Sequence, residues 1–303
     1  MSSLTNKIDF ALVFTVKNAN PNGDPLDGNR PRTTNEGLGE VSDVCLKRKI
    51  RNRLLDEGQN IFVQSDDHHS DGDKFLTLKD RADNETALVE CMKQINAGEK
   101  TRDDYRQLAC ETWYDVRAFG QIFTYKSKTK TSKNKNGEEG AGDDAEGISI
   151  GIRGPVSIQS AFSLEPVNVT SIQITKSTSW KIDDGKQRGS DTMGMKHSVD
   201  FGVYVTYGAI STQLASKTGF SHEDAEVLKE ALRTLFCNDE SSARPAGSME
   251  VVKLIWWEHN CANGQYSSAK VHRTLQVSCD EMGNILVDTN DLDGLKPEII
   301  DGE

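Results

Sequence analysis

Apolar and polar residues are spaced along the chain in two regular ways, and each predicts a type of secondary structure. From residue 8 to residue 17 they alternate, which places the apolar side chains on one face of an extended strand. After Ser42, a candidate N-cap, apolar residues recur at i, i+4 and i+8, which predicts an amphipathic helix. Both patterns return later in the chain. Together they predict six core elements: strand 8–17, helix 42–56, strand 155–165, strand 199–210, helix 221–236 and strand 249–257.

Two long segments interrupt this series of core elements. The first, 60–150, contains two predicted helices at about 84–96 and 102–119. The second, 168–198, begins with the alternation of a strand and is predicted to form an extended hairpin arm. Without these insertions the order is β-α-β-β-α-β. The sequence therefore predicts an α+β fold with a ferredoxin-like or RRM-like βαββαβ core, an arrangement that is compatible with many functions.

These patterns divide the chain into a discontinuous core and its insertions. The predicted boundaries are 1–59 (strand, loop and basic helix of the core), 60–150 (inserted helical domain), 151–167 (core strand), 168–198 (hairpin arm), 199–258 (last part of the core) and 259–303 (acidic C-terminal tail). Within the inserted domain, residues 125–147 form a basic-then-acidic block of low complexity. Because this block has almost no apolar residues, we expect it to be mobile.

The composition excludes several classes of protein. Hydrophobic residues make up 35% of the 303 residues, which is polar for a globular chain but sufficient for a core. Six cysteines without a Cys-x-x-Cys pair indicate reduced thiols rather than a disulfide framework. No apolar run approaches the ~18 residues of a membrane span, and the N-terminus lacks a signal-peptide profile. We therefore expect a cytoplasmic protein without a membrane partner.

The net charge of −11 argues against nucleic-acid binding until its distribution is considered. Residues 221–303 hold 7 basic and 16 acidic side chains. In contrast, one cluster has five cations within seven residues of the predicted helix 42–56: Lys47, Arg48, Lys49, Arg51 and Arg53. Asp43 is the acidic neighbour at helical spacing, so the cluster is expected to be poorly neutralised. The cluster is interpreted either as a solvated helix face or as a binding site for a polyanion.

Motifs for catalysis and metal binding are incomplete in this sequence. Residues 147–151 match G-x-S-x-G, but no predicted strand precedes them and no predicted helix follows, as a nucleophile elbow requires. Residues 66–73 are rich in metal-ligand types. A calcium loop beginning at Asp67 would nevertheless have Leu78 in place of the bidentate Glu. The sequence therefore predicts neither a catalytic centre nor a metal site.

Several strings of residues resemble one known family. NPNGDP at 20–25, GNRPR at 28–32 and SDVCLKRKIRNRL at 42–54 are similar to the N-terminal region of the type I-C CRISPR Cascade backbone subunit. This subunit is the Cas7 branch of the RAMP superfamily. GIRGPVSIQSAFS at 151–163 is similar to the second core strand of the same family. The match follows the order of the chain over most of its length, and the combined motifs are more specific than any one alone.

The resemblance implies an RRM-like palm, a helical finger inserted at 60–150 and a β-hairpin thumb at 168–198. It also implies that copies of the chain assemble head to tail along one CRISPR RNA, beside other Cascade subunits. The thumbs would divide the guide into segments that pair with target DNA. The residues that the resemblance assigns to RNA binding are Arg30, Arg32, Ser42, Lys47, Arg48, Arg51, Arg153, Met193, Met195, Lys196 and His197.

We therefore expect a non-catalytic subunit that holds the phosphates of guide RNA, without a metal ion or cofactor. Lys and Arg at i and i+4 suit successive phosphates because they neutralise the backbone without reading bases. Apolar side chains on an arm can wedge between bases. The alternative is a metal-dependent endoribonuclease, since related RAMP backbones cleave RNA with an aspartate near the first loop. Asp24, Asp27 and Asp43 lie where a phosphate backbone could meet Mg²⁺.

Overall fold

The computed structural model describes residues 3–69, 72, 74–75, 77–125, 148–175, 193–280 and 282–303. The strands are β1 (Ile8–Ala19), β2 (Gly23–Asp24), β3 (Arg30–Pro31), β4 (Leu38–Val41), β5 (Gly120–Tyr125), β6 (Ile148–Arg153), β7 (Val156–Ile158), β8 (Ala161–Pro166), β9 (Val169–Thr175), β10 (Met193–Ile210), β11 (Met249–Glu258), β12 (Leu275–Cys279), β13 (Ile285–Thr289) and β14 (Glu298–Asp301). The helices are α1 (Asp43–Asp56), α2 (Leu78–Asn84), α3 (Thr86–Ala97), α4 (Arg102–Thr112), α5 (Tyr114–Phe119), α6 (Thr212–Thr218), α7 (His222–Arg233) and α8 (Ser268–His272).

One large antiparallel sheet forms the centre of the described chain, which is of mixed α and β structure. Its strands follow the order β14-β11-β1-β10-β8-β4, and β7 and β9 pair with two further stretches of β10. β1 lies between β10 and β11 and is buried along most of its length. The four predicted core strands are therefore adjacent: β11 (the fourth along the chain), β1 (the first), β10 (the third) and β8 (part of the second). The predicted second strand is divided into β7 and β8, both paired with β10.

Successive residues of β1 contribute to two hydrophobic cores, one on each face of the sheet. Phe10, Leu12 and Phe14 belong to the core that α1 and α7 cover. Ala11 and Val13 belong to the core on the opposite face, which α8, β12 and β13 cover. Side chains of a strand alternate between the two faces of a sheet. A strand whose odd and even positions are both apolar, such as β1, is therefore covered on both faces.

The inserted segment has a hydrophobic core of its own. The ring of Trp113 lies 4.6 Å from that of Phe62 and 6.2 Å from that of Phe123, measured between centroids. The helix expected at 102–119 is two helices, α4 and α5, because Trp113 between them has an extended backbone (φ −121°, ψ 126°). The helix expected at about 84–96 matches α3 closely. β5 and β6 form a hairpin that the sequence patterns do not predict.

The segment after residue 258 is folded, unlike the weakly patterned acidic tail that the sequence suggests. It contains α8 and the β12–β13 hairpin, and β14 extends the edge of the central sheet beside β11. Val271, Leu275 and Leu295 from this segment are buried against the sheet. The C-terminal segment therefore completes the second core, and most of its described carboxylates are exposed.

Two predictions lie wholly or partly outside the described residues. The block 125–147 is described only at Tyr125, the last residue of β5. The arm predicted at 168–198 is described at 168–175 and 193–198, where β9 pairs antiparallel with the first part of β10. The assignment of the whole segment as one arm stays a prediction.

Candidate nucleic-acid interface

Asparagine side chains connect the first loop, residues 20–32 after β1, to the start of α1. Asn22 Oδ1 accepts hydrogen bonds from the Ser42 main-chain N–H at 3.0 Å and from the Ser42 hydroxyl at 2.9 Å. The same hydroxyl accepts from the Cys45 N–H at 3.3 Å and caps α1. Asn20 Nδ2 donates to the Asn29 carbonyl at 2.7 Å. Ser42, a predicted RNA contact, therefore holds the loop and helix together, and its hydroxyl proton is already used.

Arg30 lies in β3 of a short ribbon, β2–β3, within this loop, and Arg32 follows directly after the ribbon. Arg30 Nε lies 3.9 Å from Asp27 Oδ2, and these side chains are 43% and 74% exposed. Arg32 Nη2 donates to Asp24 Oδ1 at 3.4 Å. Ion pairs of this length and exposure contribute little stability. Most of the N–H groups on these two guanidinium groups therefore remain able to bind an external anion.

The basic cluster of α1 is largely neutralised within the chain. Its ion pairs are Lys47–Asp43, Lys49–Asp239, Arg51–Asp115 and Arg53–Glu57. The expectation of a poorly neutralised cluster is wrong for these cations. The partners of Lys49 and Arg51 are 190 and 64 residues away in sequence, so helical spacing could not reveal them. Lys49 is 3% exposed, and burial lowers the pKa of its ammonium group against the opposing charge of Asp239.

Arg51 lies between α1 and the inserted segment. Its Nε donates to Asp115 Oδ2 at 3.0 Å, and its guanidinium lies 5.1 Å from the ring centroid of Phe119. Asp115 is 1% exposed and also accepts from the main-chain N–H groups of Phe62 at 2.7 Å and Val63 at 3.1 Å. Arg51 thus has a structural role, and a contact with RNA would have to compete with this buried ion pair.

Arg48 differs from the other cations of α1. Within the described chain it forms no ion pair, and its Nη1 atom is buried without a hydrogen-bond partner. A buried, unpaired N–H group of a charged side chain is costly. Arg48 is therefore the cation of the cluster that no carboxylate of the described chain holds. Because its Nη1 is buried, a contact with an anion would use the other nitrogens of the guanidinium group.

The arm is an antiparallel ribbon of β9 and the first residues of β10, with apolar side chains on both faces. Met193 and Met195 occupy alternate positions and are 67% and 55% exposed. His197 continues this face, and its Nδ1 lies 2.8 Å from the Ser171 hydroxyl. Lys196 is on the opposite face, as the direct cross-strand neighbour of an isoleucine of β9. Gln173 Nε2 donates to Met193 Sδ at 3.0 Å, but more than half of each Met side chain remains exposed.

Arg153 does not lie with the other predicted site residues. It ends β6, shortly before β7, which pairs with β10 at Ile210. β1 pairs with β10 from Ile8 opposite Ile210 to Ala19 opposite Val199. The first loop follows Ala19 and the arm precedes Val199, so both leave the opposite end of the sheet. The twelve residues of β1 span roughly 40 Å at ~3.3 Å per residue, which separates Arg153 from the loop and arm.

Three functional candidates were missed by sequence reasoning. Ile172 and Ile174 of β9 are 55% and 49% exposed and extend the apolar surface of the arm. Their alternation is visible in the sequence but is equally typical of a half-buried strand. Leu26 in the first loop is 97% exposed, and a single leucine among Pro and Asp residues gives no periodic signal.

The carboxylates of the endoribonuclease alternative take part in local contacts. Asp24 Oδ1 accepts from the Leu26 N–H at 3.0 Å, and Asp27 and Asp43 face basic side chains of the same region. Among the described residues, no group of three or more His, Cys, Asp or Glu side chains could hold a metal ion. The absence of catalysis and of a metal stays a prediction. None of the helices in the described ranges combines the length and apolar character of a membrane span.

Comparison with known proteins gives matches along most of the chain. The family model described as CRISPR-associated protein Cas7 matches residues 6–293. A curated protein of Haloferax volcanii, "CRISPR-associated protein Cas7", is 26% identical over 232 residues, which cover 74% of this chain and 62% of the relative. The chain therefore spans less than two thirds of that relative's length.

Chains of solved structures also align with this chain. A chain of "CRISPR RNA-guided surveillance complex, pre-nicking" aligns with a TM-score of 0.45 at 15% identity, covering 83% of this chain and 75% of its own. A chain of "CRISPR RNA-guided surveillance complex" aligns with a TM-score of 0.40 at 16% identity, covering 83% and 68%.

Proposed function

We propose, since this chain belongs to the CRISPR-associated protein Cas7 family, that it is a non-catalytic subunit that binds guide RNA in a CRISPR RNA-guided complex. One observation carries the proposal: loosely paired arginines and an exposed apolar arm both leave the same end of the central sheet. Cations suit the phosphates of single-stranded RNA, and apolar side chains suit its unstacked bases. Neither group of residues is needed for the hydrophobic cores.

The strand order supports the interpretation of the core as a ferredoxin-like, RRM-like palm. The fourth, first, third and second core strands are adjacent, and α1 and α7 cover one face. In this interpretation the inserted segment, with its separate hydrophobic core, is the finger. The ribbon of β9 and β10 is the thumb. The inserted and C-terminal elements are then additions to a βαββαβ unit.

Within this interface we assign different tasks to different residues. Arg30, Arg32 and Arg48 contact phosphates, because their guanidinium groups have weak pairs or none within the described chain. Met193 and Met195 insert between bases, as apolar wedges do in other nucleic-acid complexes. Lys196 and His197 flank the wedge on the same strand, and Ser42 and Lys47 order the helix start beneath the loop. Arg51 is left out because it is internally paired.

The assembly that we propose follows from a subunit that holds RNA without reading it. Copies stack head to tail along one guide, and the displayed bases pair with target DNA, so that sequence recognition is delegated to base pairing. Other Cascade subunits complete the complex. The strings at 20–25, 28–32 and 42–54 favour the type I-C subtype. We expect the complex in the cytoplasm, where guide RNA is made.

The proposal is tested by guide RNA retention in the complex purified from cells that carry a CRISPR array. Arg30→Glu with Arg32→Glu should remove most of the RNA, measured as a fall in the 260/280 nm absorbance ratio. The matched control is Lys100→Glu with Arg102→Glu, which changes the charge equally at exposed residues of the inserted segment without ion pairs in the described chain. The slope of log affinity against log salt should fall by about 1.4 for two lost single-strand contacts.

Two results would contradict this function. Equal loss of RNA in the loop variant and in its control would indicate a general charge effect rather than a defined interface. Cleavage of RNA by the assembly in Mg²⁺ but not in EDTA, abolished by Asp24→Ala, Asp27→Ala or Asp43→Ala, would instead favour the endoribonuclease.

A further inference from the structure

A cleft with a volume of about 1140 Å³ opens between the inserted segment and the core. Residues of α4 and β6 line one wall, and α6 with the turn after it lines the other. The volume exceeds the ~300–1,000 Å³ of typical small-molecule pockets, which suits a segment of a polymer better than a metabolite. The cleft lies near the Ile210 end of the sheet, away from the first loop and the arm.

Two of the acidic groups in the cleft are neutralised by arginines of the cleft itself. Arg117 donates to both carboxylate oxygens of Asp224, from Nε at 2.9 Å and from Nη2 at 2.7 Å. Arg106 donates to Asp103 and, through Nε at 3.0 Å, to the Gly151 carbonyl. These pairs fix the walls of the cleft and contribute almost no net field to it.

The remaining charges leave the cleft positive. Arg153 of β6 and Lys217 of α6 line opposite walls, are exposed, and form no ion pair within the described chain. Glu111 faces them without a cation partner there, and its Oε1 accepts from Gln107 Nε2 at 2.9 Å. Two uncompensated cations thus oppose one uncompensated carboxylate. A negatively charged occupant that touched both walls would neutralise the excess.

The lining favours nucleic acid over protein as this occupant. Stable protein interfaces have an apolar, often aromatic centre from which charged residues, Lys in particular, are depleted. The residues that line this cleft include no aromatic side chain and no exposed large apolar one. Nucleic-acid interfaces are more polar and more positively charged. Because no aromatic side chain is available for stacking, the contact would be made with phosphates rather than bases.

We propose that this cleft binds a phosphodiester backbone, with Arg153 and Lys217 contacting it from the two walls. It is a second nucleic-acid site, about 40 Å along the sheet from the loop and arm. The inference rests on the proposed function only for the class of polymer. The two sites have no residue in common, so each can fail by itself.

The test is acetylation footprinting of lysines by mass spectrometry, because it reports on each site separately. The full chain is treated with an acetylating reagent, with and without a single-stranded oligonucleotide of about 20 nucleotides. At an oligonucleotide concentration ten times Kd, the acetylation rate of Lys217 should fall about tenfold by mass action. Lys296, an exposed lysine without an ion pair in the described C-terminal segment, should react at an unchanged rate.

The variant Arg153→Glu should abolish the protection of Lys217, with circular dichroism confirming that the chain remains folded. It should leave the effect of Arg30→Glu on RNA retention in place. An acetylation rate of Lys217 that is the same with and without the oligonucleotide would overturn the inference. So would protection that follows protein concentration without oligonucleotide, because the occupant would then be a second copy of the chain. A failure of the proposed function would give a different result: the Arg30→Glu variant would retain as much guide RNA as the unmodified chain.

Discussion

The buried carboxylate of Asp115 offers the sharpest test of how the basic helix is used. Asp115 accepts three hydrogen bonds, from Arg51 Nε at 3.0 Å and from the main-chain N–H groups of Phe62 at 2.7 Å and Val63 at 3.1 Å. It therefore joins α1, the entry to the inserted segment, and α5. The change Asp115→Ala removes all three acceptors and leaves the Arg51 guanidinium, 14% exposed, without its partner.

The expected loss of stability is large for a single residue. Removing one partner of a buried ion pair costs about 3–5 kcal/mol, because the other charge stays in a poorly solvated site. At ~2–4 °C per kcal/mol for large domains, Tm should fall by roughly 10 °C. The matched control, Lys47→Met, removes a pair whose side chains are 28% and 39% exposed. Its expected cost is under about 1 kcal/mol.

Thermal unfolding followed by circular dichroism measures the two Tm values. Hydrogen exchange with mass spectrometry then tests the mechanism, because the Phe62 and Val63 amides lose their acceptor and should exchange faster in Asp115→Ala. Arg51→Met should cost less than Asp115→Ala, since Asp115 keeps both main-chain donors.

Two outcomes would refute this reasoning. An Asp115→Ala variant as stable as the Lys47→Met control would show that the buried pair contributes little. An Arg51→Met variant with normal stability but without guide RNA would show that Arg51 is an RNA contact, as the family resemblance implies, and that its pairing with Asp115 is incidental.

Three further perturbations test other parts of the molecule. Burial lowers the pKa of His272, so on acidification the unfolded chain binds this proton at a higher pH than the folded protein does. The free energy of unfolding in urea titrations should therefore fall from pH 7 to pH 5, and His272→Gln should reduce this fall. A His272→Gln variant with the same pH dependence as the unmodified chain would contradict the prediction. Replacing Met193 and Met195 by Gln should leave Tm unchanged, because both are exposed, but reduce guide RNA retention severalfold. Full retention would exclude the wedge. Ser221→Ala, in the buried capping box of α7, should cost about 1–2 kcal/mol in urea unfolding, whereas Thr101→Ala in the exposed box of α4 should cost ~0.5 kcal/mol. Equal costs would argue against a role for burial.

The core elements could be predicted because each strand or helix is long enough to repeat its apolar pattern several times. Strand 8–17 is observed as Ile8–Ala19 and helix 42–56 as Asp43–Asp56. Several elements that escaped prediction are short: β2 and β3 have two residues each, and α8 has five, which is too few for either period to emerge. β5 and β6 have six residues each and escaped prediction despite their length.

The candidate site was harder to predict, because its chemistry depends on tertiary partners. Five cations in seven residues indicate a basic surface, yet Lys49 and Arg51 face carboxylates contributed by distant segments. Conversely, the arginines of the first loop were identified through a resemblance rather than a pattern. Lys217 had no signal at all, because its significance depends on the opposite wall of a cleft formed by the inserted segment.

The pairing of α1 also bears on how a chain of net charge −11 can hold a polyanion. Binding RNA through Lys49 or Arg51 would require breaking buried pairs at about 3–5 kcal/mol each, more than the ~1.5–3 kcal/mol of a hydrogen bond to a charged group. Arg30 and Arg32 would give up only exposed pairs worth ~0–1 kcal/mol. With Arg48, each copy then has about three low-cost contacts and a salt slope near −2. A single copy should therefore bind RNA weakly, and firm retention of the guide requires several copies on one strand.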